Sequence, residues 1–284
     1  MMHYGPILGA GALLCVLSHG AAALDPASLK ADQITIRYEP PTDLAQHERI
    51  YQMLKENRVL ERFKELLAPV RLPRPLLLQL KSCGGEENAW YDYEEMAVTV
   101  CYDLIRKNVK DAPKKTTPAG VSPEDAVIGP VAEIFLHETG HAVFDLLEVP
   151  ILGHEEDAAD QFAAYVILQF PREEARRLIA GIAYMYGTIA KERGSRIQFG
   201  QFADEHGQPA QRYFTYVCLA YGADSTFFAE LKEKAKLPPQ RADQCEAQYD
   251  QAQFAFKKLI TPYVDPELIK RAKQKKWLRP LPKQ

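Results

Sequence analysis

The stretch His137-Glu138-Thr139-Gly140-His141 constrains this chain more than any other. Two histidines at this spacing lie one above the other on a single helical face, so the motif predicts an α-helix. The helix it belongs to is expected from about Val131 to Leu147. It is apolar on most sides, through Val131, Ile134, Phe135, Val143, Phe144, Leu146 and Leu147. A helix apolar all round is buried, so two histidines on it need a reason to be there. A metal ion is such a reason, because His137 and His141 can point at one centre. Zn²⁺ accepts histidine nitrogen at about 2.0–2.1 Å and carboxylate oxygen at about 2.0–2.2 Å. A catalytic site keeps three protein ligands and leaves the fourth position for water. Glu138 is turned about 100° further round the helix. Its carboxylate therefore reaches that water rather than the ion, which makes Glu138 the candidate general base. The pattern implies metal-assisted hydrolysis, of a peptide bond before other amides.

The third ligand must come from another segment. A ligand series running on to Asp145 fails on length: at about 1.5 Å rise per residue it would spread over roughly 12 Å. A metzincin would carry glycine at position 144 and histidine at 147, where this chain has Phe144 and Leu147. The better source is the acidic cluster Gly153-His154-Glu155-Glu156-Asp157-Ala158-Ala159-Asp160. Glu156 is favoured as the metal ligand because Asp160 follows one helical turn later. A carboxylate there accepts the outer N–H of a ligating histidine and fixes its tautomer. Ala158 and Ala159 are small enough to let this second helix pack closely on the first. Spacing alone leaves Glu155 open beside Glu156, and His154 remains a neighbour that could ligate or stay in solvent.

Glu156-x-x-x-Asp160 after His137-Glu138-x-x-His141 resembles the gluzincin arrangement of thermolysin-like and membrane-associated Glu-zincin peptidases. From the Cys83 region to the Cys245 helix, the chain is similar to a family of secreted bacterial zinc metallopeptidases of gluzincin type. The resemblance implies Zn²⁺ as cofactor, a peptide or protein as substrate, and a zincin-like fold. By the same analogy, Asn88 and the Ala89 backbone lie on an upper edge strand that holds an extended substrate by β-augmentation. Gluzincins also stabilise the oxyanion with a downstream histidine or tyrosine. His206 takes that catalytic place by resemblance, with Arg212, Tyr213 and Tyr216 as rivals. The plainer readings are an ordinary hairpin at Asn88 and a solvated loop histidine at His206. The tyrosines near Tyr184, Tyr186 and Tyr216 read as core.

Composition bounds these expectations. Of 284 residues, 46% are hydrophobic and 26% charged, which is ordinary for a globular chain with an ample core. A formal net charge of −3 offers no nucleic-acid signature. Residues 1–24 read as a secretory signal peptide, with an apolar run from Gly5 to Leu17 and a small-residue stretch, Ala21-Ala22-Ala23, before the cleavage point. The run is short of the about 20 apolar residues a membrane span needs. The expected mature chain, 25–284, is a single metallopeptidase-like domain with a possible subdivision near 120, secreted or periplasmic, with no transmembrane span. It would keep Cys83, Cys101, Cys218 and Cys245, an even count that suggests disulfides in an exported protein. Cys83–Cys101 and Cys218–Cys245 are the expected pairs, because each brackets a local hairpin.

Along the chain, Ile34–Tyr38 and Leu76–Lys81 read as strands, and Trp90-Tyr91 with Ala97–Tyr102 as a hairpin. Leu44–Leu67 reads as one amphipathic helix and Lys107–Ala119 as a loop. Ser122-Pro123-Glu124-Asp125 starts a helix that Gly129-Pro130 is expected to break or kink. Further helices are expected at about 155–169, 172–193, 209–221, 224–234, 240–260 and 265–276. The basic run from Lys270 to Lys283 reads as a solvated helix end. The fold class is α+β: a small N-terminal sheet, then a mainly helical body around the buried H-E-x-x-H helix. Two other functions stay in view: a catalytically idle, metal-stabilised envelope binding protein, and a zinc amidase acting on cell-wall peptides.

Overall fold

The computed structural model describes residues 24–194 and 198–278. The expected signal segment, the ends of the basic tail at Arg279 and Lys283, and residues 195–197 fall outside that range apart from Leu24. A four-stranded sheet carries β1 (Ile34–Tyr38), β2 (Leu76–Lys81), β3 (Ala89–Asp92) and β4 (Ala97–Cys101) in the order β1-β2-β4-β3. β1 and β4 run parallel to β2, while β3 pairs antiparallel with β4 and forms one edge. A parallel pair needs a long crossover. Between β1 and β2 that crossover is helical, formed by α1 (Leu44–Glu56) and α2 (Val59–Leu67). Leu76, Leu78 and Leu80 of β2 are fully buried, as is the Gln79 side chain on the other face, where its Nε2 donates to Thr99 Oγ1 at 2.8 Å.

The single helix expected over 44–67 is two helices. Arg58 adopts a left-handed φ of 53°, and the Asn57 side chain closes α1 by donating to the Met53 carbonyl at 2.8 Å. Tyr38 holds the start of α2 by accepting the Leu60 N–H at 2.8 Å. The bend lets Ile50 and Leu54 of α1, and Leu60, Phe63 and Leu67 of α2, all reach the core. The loop expected from Lys107 is helical at its start: α3 spans Tyr102–Asp111, with Tyr102 and Ile105 buried on one face.

The body is built on α4 (Asp125–Leu146), followed by α5 (Glu155–Ile167), α6 (Arg172–Arg193), α7 (Pro209–Ala223), α8 (Ala229–Lys234), α9 (Pro239–Ala242), α10 (Cys245–Leu259) and α11 (Pro266–Lys273). Ser122 Oγ accepts the Asp125 N–H at 3.0 Å at the start of α4. α4 is continuous through Pro130, contrary to the expected break. Pro130 removes only one N–H, and tight packing holds the helix at that point. A Cβ on Gly129 would lie 2.5 Å from the Leu178 carbonyl, and one on Gly181 would lie 1.9 Å from the Asp125 carbonyl. The two glycines thus let α4 and α6 cross in backbone contact. α4 also packs on β3, β4, α3 and α5, so it is covered on nearly every side.

Both expected disulfide pairs form. Cys83–Cys101 ties the end of β4 to the segment after β2, and Cys218–Cys245 ties α7 to α10. Among the described residues, no helix is long and apolar enough to cross a membrane.

Candidate metal centre

His137 and His141 stand on successive turns of α4, and Glu156 stands in the first turn of α5. Small residues bring the two helices together. A Cβ on Gly140 would lie 3.2 Å from the Ala159 Cα, and Ala159 itself is fully buried. The two rings and the carboxylate then converge. Nε2 of His137 lies 3.3 Å from Nε2 of His141 and 2.9 Å from Glu156 Oε2. Nε2 of His141 lies 3.5 Å from Glu156 Oε1. Donors about 2.0–2.2 Å from a tetrahedral ion stand roughly 3.3–3.6 Å apart, so this set has the donor chemistry and nearly the dimensions of a metal site.

Each histidine is backed by a carboxylate on its other nitrogen. Nδ1 of His137 lies 2.9 Å from Asp160 Oδ1, as expected of a carboxylate one turn after Glu156. Nδ1 of His141 lies 2.7 Å from Glu155 Oε1, so the two adjacent glutamates divide between the inner and outer sides of the centre. Tyr93, after β3, donates its hydroxyl to Glu155 at 3.3 Å, and Tyr91 of β3 donates to Asp145 of α4 at 2.8 Å.

Behind His137 lies a buried polar network that the sequence did not announce. Arg212 of α7 donates to Asp160 through Nε at 2.8 Å and Nη2 at 2.5 Å, and to Glu133 through Nη2 at 3.1 Å. Tyr186 of α6 and Tyr216 of α7 donate to Glu133 Oε1 at 2.7 and 3.0 Å. These tyrosines are buried, as expected of core residues, but their hydroxyls serve the carboxylate beside the centre. Glu133, His137 and Asp160 also bring three possible metal donors together. That cluster already holds a cation, since the Arg212 guanidinium bridges its two carboxylates. Glu133 could have been found from the sequence: it sits one turn before His137 on the same face of a largely apolar helix. Arg212, read from the sequence as a rival of His206, had no local signal that pointed to Asp160 and Glu133.

The electrostatics follow from these contacts. Burial raises the Asp160 carboxyl, but Arg212 and His137 outweigh it and hold it below the usual range. Burial likewise raises Glu156, and hydrogen bonds to His137, His141 and His206 bring it far below an ordinary glutamate. Burial lowers His137, yet Asp160 and Glu156 together raise it to about 10, so protons and an ion compete for this ring. For Glu138, burial wins over the lowering effect of His137 and His141, and its carboxyl is more basic than usual.

The remaining predicted residues fall as follows. His206 joins the centre, its Nε2 2.9 Å from Glu156 Oε2 and its ring stacked on His137 at 5.9 Å. His154 is exposed just before α5 and lies outside the donor set. Asn88 precedes the edge strand, and its carbonyl accepts the Cys101 N–H at 3.0 Å. With the β3–β4 register, this turns the backbone groups of Ala89 and Tyr91 toward the open side of β3. The Ala89 N–H is met there by the Asn88 side chain at 2.9 Å. The contacts described between this strand region and the centre run through Tyr91 and Tyr93 rather than Asn88.

Residues 38–260 match a family described as "Putative metallopeptidase". No curated protein and no solved structure matches the chain. The match covers most of the sequence, so the chain belongs to that family.

Proposed function

From membership of a metallopeptidase family, we propose that this chain is a zinc peptidase of gluzincin type with a zincin-like fold. The observation that carries the reading is the convergence of His137 Nε2, His141 Nε2 and the Glu156 carboxylate from two helices. These three residues are the proposed ligands. A Zn²⁺ ion bound there would polarise the scissile carbonyl and make a water acidic enough to ionise near pH 7. Glu138 takes the proton of that water and hands it to the leaving amine. Its raised basicity suits a general base. Asp160 and Glu155 hold the two ligand rings in place.

An extended peptide would pair with the open edge of β3 through the Ala89 and Tyr91 backbone, with Asn88 releasing the Ala89 N–H to it. The mature protein of this reading is residues 25–284 acting as one domain, exported after removal of residues 1–24. Two disulfides fit an oxidising compartment.

Glu138→Gln tests the chemistry. The variant should bind one Zn²⁺ per chain as the parent does, while cleavage of casein or a peptide library falls on the order of 10²–10⁴-fold. Cleavage at the parental rate would remove Glu138 from the mechanism. Muropeptides assayed alongside separate a cell-wall amidase, and a metal-loaded parent inert on both substrates would point to a binding protein.

A further inference from the structure

Three histidines around the centre share one arrangement. His137 and His141 turn Nε2 inward and place Nδ1 against Asp160 and Glu155, at 2.9 and 2.7 Å. His206 is placed in a looser version of it: Nε2 lies 2.9 Å from Glu156 Oε2, and Nδ1 lies 3.6 Å from Asp204 Oδ1, beyond direct hydrogen-bond distance. Asp204 also accepts the His206 backbone N–H at 3.0 Å, which fixes the turn that presents the ring. Gln208 anchors the end of the same loop, donating its side chain to the Gln201 carbonyl at 2.6 Å and its backbone N–H to Gln211 at 2.8 Å. A carboxylate behind a ring whose other nitrogen points at a metal site is the arrangement that orients ligating histidines. His137, Glu156 and His206 each offer a donor atom within 4.8 Å of the others.

We propose that His206 is a fourth protein ligand of the metal in the resting protein, and that it withdraws when substrate binds, leaving its position to water. The inference rests on the metallopeptidase reading above. With His206 added, His137, His141 and Glu156 would make four protein ligands, the number of a closed structural site, whereas hydrolysis needs an open position for water. Of the four, His206 is the one free to leave. Its side chain is 47% exposed and sits on a loop, while Glu156 is 17% exposed and His137 4%, both on packed helices. An oxyanion donor would face the substrate oxygen. This ring's Nε2 instead lies 2.9 Å from an oxygen of the proposed ligand Glu156.

The test uses Co²⁺ in place of Zn²⁺ on the purified chain. Affinity is read by competition with a chromogenic chelator, and coordination from the visible spectrum with and without azide. His206→Ala should weaken Co²⁺ binding at least about tenfold. Azide should change the variant's spectrum at concentrations that leave the parent unchanged, because only the variant has an open position. Unchanged affinity and an unchanged azide response, with a loss confined to kcat, would overturn the proposal and return His206 to oxyanion support. His137→Ala is the control and should abolish Co²⁺ binding. A parent that takes up no metal at all would be a failure of the metallopeptidase reading itself, seen before His206 is touched.

Discussion

The two proposed ligand histidines of α4, His137 and His141, are backed by carboxylates of opposite kind. Asp160, behind His137, is 4% exposed and locked by Arg212, which also binds Glu133. Glu155, behind His141, is 41% exposed and, among the described residues, accepts the Tyr93 hydroxyl on its other side. In the buried arm, every charge depends on its partner, because an uncompensated charge away from water is very costly. In the exposed arm, water can replace whatever is lost. One side of the centre is therefore rigid, and the other, where Tyr93 reaches Glu155 from beyond the edge strand, can adjust.

The largest effect should come from Arg212→Met, which leaves Glu133 and Asp160 without the guanidinium that bridges them. It should cost about 3–5 kcal/mol in urea denaturation of the metal-free protein. A loss below 1 kcal/mol would mean that the buried arm is not held by charge. Asp160→Asn keeps the shape but weakens the hold on His137, and should lower Zn²⁺ affinity about 10–100-fold. Glu155→Gln makes the parallel change in the exposed arm, where screening limits the loss to about 1 kcal/mol, or roughly fivefold. Equal losses in the two variants would erase the distinction between the arms. Tyr93→Phe should have the smallest effect, about twofold, because it removes one long hydrogen bond at an exposed site. A tenfold loss there would instead tie the edge strand firmly to the centre.

Much of the fold was legible because its signals are local. The alternation of Ile34–Tyr38, the apolar run Leu76–Lys81 and the short connection before Ala97 gave the strands. The break at Arg58 was not legible, since the apolar spacing continues through it and the bend is set by how α1 and α2 share the core. Pro130 misled in the opposite direction. Its local cost is real, but the backbone contact between Gly129 and Gly181 keeps α4 whole. Tyr186 and Tyr216 were legible as buried but not as hydrogen-bond donors to Glu133, because nothing in their spacing points at that residue.

By itself, the sequence determined that His137 and His141 share a helical face and that Asp160 follows Glu156 by one turn, and it favoured the local cysteine pairs that form. Each of these depends on the pitch of a helix or the closure of a short loop, so nearby residues suffice to read it. Only the tertiary structure decided that α5 packs on α4 at Gly140 and Ala159, which brings Glu156 to the two rings. It also decided that Arg212, 79 positions from Glu133, lies between the buried carboxylates, and that His206 reaches Glu156. Those contacts join elements far apart in the chain, where the packing of whole helices sets the geometry and no spacing rule applies.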